Sequence, residues 1–292
     1  MSRAPFTDRL ATAVMNRESQ VCLGLDPDLS SLPDNGVAGT PRERAAAAVS
    51  AWGEQLIEAA GPACVAVKLQ LARYEVLGAP GWAALEATVG RAKEAGLIVI
   101  ADGKRGDVPG TAEVYARALL GETETPWGPA PGLGVDAITV NPLLGADALE
   151  PFIAEAERCG SGLFVLVRTS NPGAADLFDL QTPDVPLHER IAALVAERSA
   201  RLAGNAGLSG MGAVVGATQP QFLSRLRELM PAATFLLPGV GAQGGSVSEL
   251  SSAAGVHPAA TLIAASRSLA GAADPRAAAE RLREESWAAL GR

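Results

Sequence analysis

The sequence predicts an α/β protein, a (β/α)₈ TIM barrel, and three observations support this prediction. Eight short apolar runs alternate with helix-like segments along the 292 residues. The runs are apolar nearly throughout, as expected of parallel strands that are covered on both faces. Polar or glycine-rich residues end almost every run, as at the carboxyl-end rim of a barrel. A doubly wound open sheet remains the alternative, because periodicity alone does not decide whether a sheet closes.

Each predicted strand is a short apolar run, and each predicted helix shows apolar residues at helical spacing. The predicted strands are 21–26, 64–70, 97–104, 137–142, 162–170, 212–217, 234–241 and 261–266. The predicted helices are 41–60, 80–95, 144–158, 187–203, 219–230 and 275–290. Gly- and Pro-rich stretches near 27–41 and 121–134 are predicted loop insertions, since neither is long enough to separate domains. We therefore expect residues 1–292 to form one domain.

Composition excludes several classes of function. The net charge of −8 argues against a nucleic-acid binder, because a surface that binds the phosphate backbone needs an excess of Lys and Arg. No apolar run approaches the length of a membrane span, and the N-terminus lacks a signal-peptide pattern. The three cysteines are odd in number and widely spaced, with no CxxC pair. We expect a cytoplasmic protein with no membrane contact and no metal site.

The basic residues are strongly biased towards arginine. Only three of the 24 are lysines: Lys68, Lys93 and Lys104. A genome-wide preference for Arg explains the ratio, but it does not explain why Lys68 and Lys104 both end strand-like runs. A compact ammonium whose pKa can be tuned serves chemistry that a guanidinium does not.

The third predicted strand, 97–104, runs directly into a cluster of charge. Asp102 and Lys104 are two positions apart, so they project to the same side of the strand. Lys68 ends the neighbouring strand and can reach the same cavity. These opposite charges lower one another's cost of burial. A structural ion pair at the rim is the alternative, but buried charges stabilise weakly and are usually kept for function.

The late segment GVGAQG (239–244) formally matches the GxGxxG pattern of dinucleotide-binding folds. Its position near the end of the chain does not fit that fold, and Leu262 stands where an acidic residue is expected. As the loop after the seventh strand, its backbone N–H groups, including Gly241 and Gly244, can bind a phosphate, with Arg267 adding charge. A purely structural glycine-rich turn is the alternative.

At this point the motifs together resemble a known family. The segment DGKRGD (102–107) fits the D-x-K-x-x-D signature of the orotidine 5′-phosphate decarboxylases and their suprafamily. Further matches occur in the family's order, one per predicted strand. They are GLD (24–26), VKLQ (67–70), RTSNPGA (168–174), PGVGAQGG (238–245) and ASR (265–267). The resemblance covers about residues 20–270, and the longer insertions are similar to the branch with larger loops.

The resemblance implies decarboxylation of orotidine 5′-monophosphate to UMP in pyrimidine synthesis, with no metal or organic cofactor. It further implies homodimers whose active sites are shared between subunits. Lys104 would donate the proton to C6 of the pyrimidine, and Asp102 would lie beside the departing carboxylate. Lys68 would hold Asp102 and contact the ribose. Asp107 and Thr111 would extend into the site of the neighbouring subunit.

The same resemblance implies the remaining substrate contacts. Asp26 would bind the ribose hydroxyls and Ser170 the pyrimidine, while Gln243 and Arg267 would bind the phosphate. Asp26 and Ser170 also read as turn residues, because each lies close before a proline. Asp107 is also placed to cap a helix that begins near Thr111. His188 and His257 are expected to lie away from the rim and receive no role.

Two other functions fit the same barrel. A metal-dependent sugar-phosphate decarboxylase or aldolase would need an extra rim carboxylate for Mg²⁺, and a Schiff-base aldolase would use Lys68 or Lys104 as the amine. A non-catalytic nucleotide-binding barrel would bind UMP without converting orotidine 5′-monophosphate. Chelation, borohydride trapping and a decarboxylation assay distinguish these alternatives.

Overall fold

Eight parallel strands form a closed barrel in a computed structural model that describes residues 3–217, 220–239 and 247–291. The strands are β1 (Val21–Leu25), β2 (Ala66–Gln70), β3 (Ile98–Arg105), β4 (Ala137–Val140), β5 (Gly162–Arg168), β6 (Ser209–Val215), β7 (Ala233–Pro238) and β8 (Thr261–Ala265). Their order around the barrel follows the chain, and β8 pairs with β1 to close it. The predicted barrel is confirmed, and the open sheet is excluded.

Helices alternate with these strands and pack outside them. The longer ones are α1 (Phe6–Arg17), α2 (Pro41–Ala60), α3 (Ala79–Glu94), α4 (Pro109–Leu120), α5 (Ala146–Cys159), α6 (Leu187–Arg198), α7 (Leu223–Leu229) and α8 (Pro275–Leu290). Four-residue helices lie at Ala72–Glu75, Ala175–Phe178 and Arg267–Ala270. Short 3₁₀ helices lie at Gly61–Ala63, Pro172–Ala174, Ser199–Leu202, Pro220–Phe222, Val247–Ala253 and Pro258–Ala260. The predicted helix 187–203 ends earlier as an α-helix, because its last turn tightens into the 3₁₀ form.

Helix α1, which the sequence reasoning did not predict, packs against the amino end of the barrel. Its Phe6 is buried, and the Phe6 and Phe164 rings meet edge to face with centroids 6.0 Å apart. A Cβ atom at Gly162 would lie 2.5 Å from the Phe6 ring. Glycine at this strand start therefore lets the aromatic side chain seat on the sheet.

The insertion near 27–41 ends where α2 begins, and the sequence dictates that start. Thr40 and Glu43 form a capping box: the Thr40 backbone N–H donates to Glu43 Oε2 (2.7 Å), and the Glu43 N–H donates to Thr40 Oγ1 (3.4 Å). Pro41 occupies the first helical position, where its missing N–H has no cost. Residues 26–40, before this helix, contain no helix or strand.

The insertion at 121–134 is more ordered than a plain loop. Two-residue strands, Glu122–Thr123 and Ala130–Pro131, pair in antiparallel fashion. Thr125 closes the turn between them by donating its hydroxyl to the Gly128 carbonyl (2.6 Å). The turn presents Trp127, whose residue surface is 92% exposed.

Apolar side chains from the strands and the helices form one continuous core between barrel and outer layer. Cys22 and Cys64 are buried in this core, and all three cysteines are free. Burial raises the pKa of the Cys22 thiol to about 12. Among the helices of the described ranges, none is long and apolar enough to cross a bilayer.

Candidate active site

A cavity of about 520 Å³ opens at the carboxyl end of the barrel. Its polar lining comes from the ends of the strands and the residues that follow them. These are Asp26, Lys68, Gln70, Asp102, Lys104, Thr139, Asn141, Thr169, Ser170, Asn171, Ser266 and Arg267. The predicted convergence of polar strand ends on one mouth is confirmed, and such a mouth is where barrel enzymes place their chemistry.

Asp102 lies at the centre of the charged cluster. Its Oδ2 accepts a hydrogen bond from Lys68 Nζ (2.9 Å), and its Oδ1 accepts one from Lys104 Nζ (2.7 Å). In the pairing of β2 with β3, Gln70 lies opposite Asp102 and Lys68 lies opposite Ile100. The side chains of Lys68, Gln70 and Asp102 therefore point to the same face, the inside of the barrel. The predicted Lys–Asp–Lys arrangement is therefore present in the folded chain.

The two lysines differ in their surroundings. The Lys68 side chain is buried, 9% exposed, and its Nζ also lies 3.5 Å from Asp26 Oδ1. The Lys104 side chain is 42% exposed where it borders the cavity. Lys68 thus has carboxylates on two sides, whereas the Lys104 ammonium remains accessible to a ligand.

Electrostatics keeps the buried members of the cluster ionised. Burial alone would raise the pKa of Asp102, but the adjacent Lys68 and Lys104 ammonium groups outweigh it and lower that pKa to about 2. Burial likewise opposes charge on Lys68, yet the nearby carboxylates of Asp102 and Asp26 raise the pKa of Lys68 above its ordinary value. Near neutral pH the site holds Asp102 as a carboxylate and Lys68 as an ammonium.

The backbone at Lys104 is unusual. Its φ of +48° lies in the left-handed region, which non-glycine residues rarely adopt. Thr139 on β4 supports this conformation: its Oγ1 accepts from the Lys104 backbone N–H (2.8 Å) and donates to Asp102 Oδ1 (2.9 Å). Strained backbone of this kind is typical of functional sites.

Thr139 and Gln70 are site residues that the sequence reasoning missed. Gln70 Nε2 donates to Asp102 Oδ2 (3.3 Å). The sequence contained a signal for each of them. Gln70 lies two positions after Lys68, and Thr139 lies two positions before Asn141, the polar residue that follows β4. Side chains two apart on a strand share a face.

Asp107 and Thr111 do not line the cavity of their own chain. The prediction that Asp107 caps a helix is wrong. Helix α4 begins at Pro109 after Val108, with no side-chain cap, and Asp107 Oδ1 instead accepts from the Val108 N–H (2.8 Å). Pro at the first helical position starts α4 without that cap.

Two residues near the predicted phosphate contacts lie at the cavity mouth. Gly239 and Arg267 line the cavity, and Arg267 directly follows the Ser266 that ends the eighth predicted strand. The predicted phosphate contacts Gly241, Gln243 and Gly244 lie outside the described residues.

The two histidines occupy different environments. His188 lies near the start of α6, but it is not remote from the mouth as expected. Its Nδ1 is 2.7 Å from the carbonyl oxygen of Phe178, and Phe178 lines the cavity. His257 Nδ1 accepts from the Ala259 N–H (3.0 Å) and caps a short 3₁₀ helix. Within the described ranges, no group of three or more His, Cys, Asp or Glu side chains is placed to hold a metal ion.

A closed (β/α)₈ barrel that gathers buried, oppositely charged side chains at its carboxyl end defines a barrel enzyme. Residues 19–282 match the Orotidine 5′-phosphate decarboxylase / HUMPS family. The chain belongs to this family.

Relatives and solved structures agree with this membership. The orotidine 5′-phosphate decarboxylase of Rhodopirellula baltica is 40% identical over 90% of this chain and 87% of its own length. The orotidine 5′-phosphate decarboxylase of Deinococcus radiodurans is 40% identical over 98% of each chain. The structure of Leishmania donovani OMP decarboxylase superposes with a TM-score of 0.77 and 36% identity, covering 97% of this chain and 98% of that one.

Proposed function

We propose that this chain decarboxylates orotidine 5′-monophosphate to UMP in pyrimidine biosynthesis, as a single domain and with no metal or organic cofactor. One observation carries the proposal: Asp102 holds an ammonium group on each of its oxygens, at 2.7 and 2.9 Å, and Lys104, the more exposed of the two lysines, borders the open cavity. Membership in the decarboxylase family gives the substrate class.

The chemistry follows from the charges. When the bond from C6 to the carboxylate breaks, CO₂ leaves and the electron pair stays on C6, a ring carbon with no electron sink. A fixed ammonium beside that carbon stabilises the developing negative charge more than it stabilises the bound substrate. Lys104 then gives its proton to C6, and solvent reprotonates the amine.

Asp102 orients this proton donor and faces the substrate carboxylate. Repulsion between the two carboxylates would favour loss of CO₂, but the larger contribution is the preset position of the two cations. Lys68 and Asp26 lie on the ribose side, and Ser170 faces the pyrimidine. Arg267, the Gln243 side chain and the backbone N–H groups of Gly241 and Gly244 bind the phosphate.

The working unit is a cytoplasmic homodimer in which Asp107 and Thr111 complete the partner's site. Support comes from their position outside the cavity of their own chain and from the surface around them. Val108, Val114 and Tyr115 are exposed on the same side of α4 as Thr111. Three free cysteines fit a reducing compartment.

A spectrophotometric assay tests the activity directly. Purified protein is mixed with orotidine 5′-monophosphate, and loss of the orotate chromophore is followed with and without EDTA. We expect conversion to UMP at equal rates in both. No conversion, or conversion that EDTA abolishes and Mg²⁺ restores, would reject the proposal, and inactivation by borohydride would instead indicate a Schiff base.

A mixed dimer tests the shared site. Lys104→Ala and Asp107→Ala chains are each inactive as homodimers, and their mixed dimer contains one site with both residues intact. We expect about half the wild-type turnover per mixed dimer. Absence of recovery would show that each site is built from a single chain.

A further inference from the structure

Arg168 and Asp179 join the two ends of one wall of the active-site cavity. Arg168 is the last residue of β5, and its Nε and Nη2 donate to Asp179 Oδ1 (2.8 Å) and Oδ2 (3.0 Å). This two-pronged pairing fixes the carboxylate in the plane of the guanidinium as well as its distance. The contact between these two side chains therefore closes residues 169–178 into a loop.

That loop carries much of the wall of the cavity. Its cavity-lining residues are Thr169, Ser170, Asn171, Gly173, Ala174, Leu177 and Phe178. Apart from short helical turns at Pro172–Ala174 and Ala175–Phe178, the loop has no regular structure that would hold its position. Two contacts hold the end of the loop: the Arg168–Asp179 ion pair, and His188 on α6, whose Nδ1 lies 2.7 Å from the Phe178 carbonyl oxygen.

The remaining contacts of Arg168 also hold its side chain in place. Its Nη1 donates to the Thr169 carbonyl (2.6 Å), and its guanidinium lies over the Phe222 ring, 5.2 Å from the centroid. The Arg168 side chain is only 5% exposed. The Asp179 side chain is 31% exposed, so the pair is only partly buried. Such an ion pair is a weak means of stabilising a fold, which favours a role in holding geometry.

The barrel also fixes the loop at its first residues. The Gly216 N–H donates to the Arg168 carbonyl (2.8 Å), and a Cβ atom at Gly216 would lie 2.7 Å from Ser170 Cα. Glycine at the end of β6 thus lets the Ser170 backbone approach closely. With the Arg168–Asp179 pair at the other end, Ser170 is held from both directions.

We propose that Arg168 and Asp179 are positioning residues that hold the wall 169–178 so that Ser170 meets the pyrimidine of the substrate. This inference rests on the proposed decarboxylation for its functional consequence. Neither side chain touches the reacting atoms. They act through the loop, and a displacement of about 1 Å at a reacting site can cost about 100-fold in rate.

The test compares Arg168→Met, Arg168→Lys, Asp179→Asn and the double variant Arg168→Met/Asp179→Asn. We expect Arg168→Met to lower kcat/KM about 100-fold per folded molecule, well below its unfolding temperature. Arg168→Lys keeps the charge but not the fork, so it should recover part of the activity. If the two residues act as one unit, the double variant loses no more than Arg168→Met alone.

Arg158→Met is the matched control, because Arg158 pairs with Glu155 through two hydrogen bonds (3.0 and 2.6 Å) away from the cavity. Its kcat/KM should remain within about twofold of wild type. Wild-type kcat/KM per folded molecule in Arg168→Met, whatever its melting temperature, would overturn the positioning role. If the fold-losses of kcat/KM in the two single variants multiply in the double variant, the two residues act independently, and the proposal that they act as a pair is overturned.

Amide hydrogen exchange separates this inference from the proposed reaction. In Arg168→Met, amides of residues 169–178 should exchange at least tenfold faster, and those of α5 should not change. This readout requires no turnover, so it stands even if the wild-type protein does not decarboxylate orotidine 5′-monophosphate. Unchanged exchange across 169–178 would overturn the inference by itself.

Discussion

The two ends of the barrel each hold a buried aspartate between two cations, yet the two clusters differ in chemistry. At the carboxyl end, Asp102 binds Lys68 and Lys104 beside the cavity. At the amino end, Asp136 binds Arg3 and Arg9. Each aspartate binds two cations, so the number of cations alone does not separate the proposed reactive cluster from a structural one.

The difference lies in where the remaining hydrogen bonds go. Asp136 Oδ2 accepts from the Val99 backbone N–H (2.8 Å). The other nitrogens of Arg9 donate to the carbonyls of Ala4 and Gly160, both at 3.1 Å. The amino-end cluster therefore ties chain segments together through arginine forks. The carboxyl-end cluster uses compact ammonium groups and leaves one of them facing open space.

The largest expected effect is on turnover at the carboxyl end. Lys104→Ala should lower kcat by about 10⁴-fold or more, because it removes both the proposed cation beside C6 and the proposed proton donor. Its fold should persist, since Asp102 keeps Lys68. Lys93→Ala, which removes the one lysine outside the cavity lining, should turn over at the wild-type rate. A Lys104→Ala enzyme within tenfold of wild type would contradict the assignment.

At the amino end the expected effect is on stability. Asp136→Asn should lower the free energy of unfolding by about 3 kcal/mol, because Arg3 and Arg9 lose their shared carboxylate. The kcat of the folded fraction should not change. Urea denaturation measures the first quantity and the decarboxylation assay the second. Asp34→Asn, which breaks an exposed pair with Arg44, should cost under about 1 kcal/mol.

The free energy of unfolding at acidic pH should depend on the ionisation of Asp102. Its pKa is about 2 in the folded chain against an ordinary 3.8, so its contribution is complete above pH 3.8 and is lost as the pH falls towards 2. The loss is about 2 kcal/mol. Urea denaturation between pH 2 and 5 should show a steeper fall for wild type than for Asp102→Asn. Parallel curves would mean that the lysines do not hold this carboxylate.

The smallest expected effect concerns the support of Lys104. Thr139→Val keeps the side-chain shape but removes the hydroxyl between the Lys104 N–H and Asp102. We expect kcat to fall about tenfold, the cost of leaving buried partners without one hydrogen bond. Thr139→Ser retains the hydroxyl and should stay within about threefold. Equal activity of the two variants would show that the hydroxyl does not matter.

The sequence was sufficient for the strands and for the central charges, because both are local patterns. Apolar runs marked the eight strands, and the period of two placed Asp102 and Lys104 on one side. The cap prediction for Asp107 failed because Pro109 alone can start α4. The Arg168–Asp179 pair could not be predicted, since it depends on how an irregular loop returns to the barrel.

The Asp136 cluster was hidden for a related reason. Arg3 and Arg9 lie more than 120 positions from Asp136. Arg9 lies on helix α1 and Arg3 just before it, and this helix was not predicted. Contacts between distant segments depend on how the elements pack, and the residue pattern of a single strand or helix does not contain that information.

A substitution that preserves charge tests the central claim most directly. Lys104→Arg keeps a cation beside Asp102 but replaces the ammonium group, the proposed proton donor, with a guanidinium, which proteins do not deprotonate. We predict loss of turnover, by about 10³-fold or more in kcat, at an unchanged melting temperature. A Lys104→Arg enzyme that turns over at a rate near wild type would contradict the account, because any fixed positive charge would then suffice.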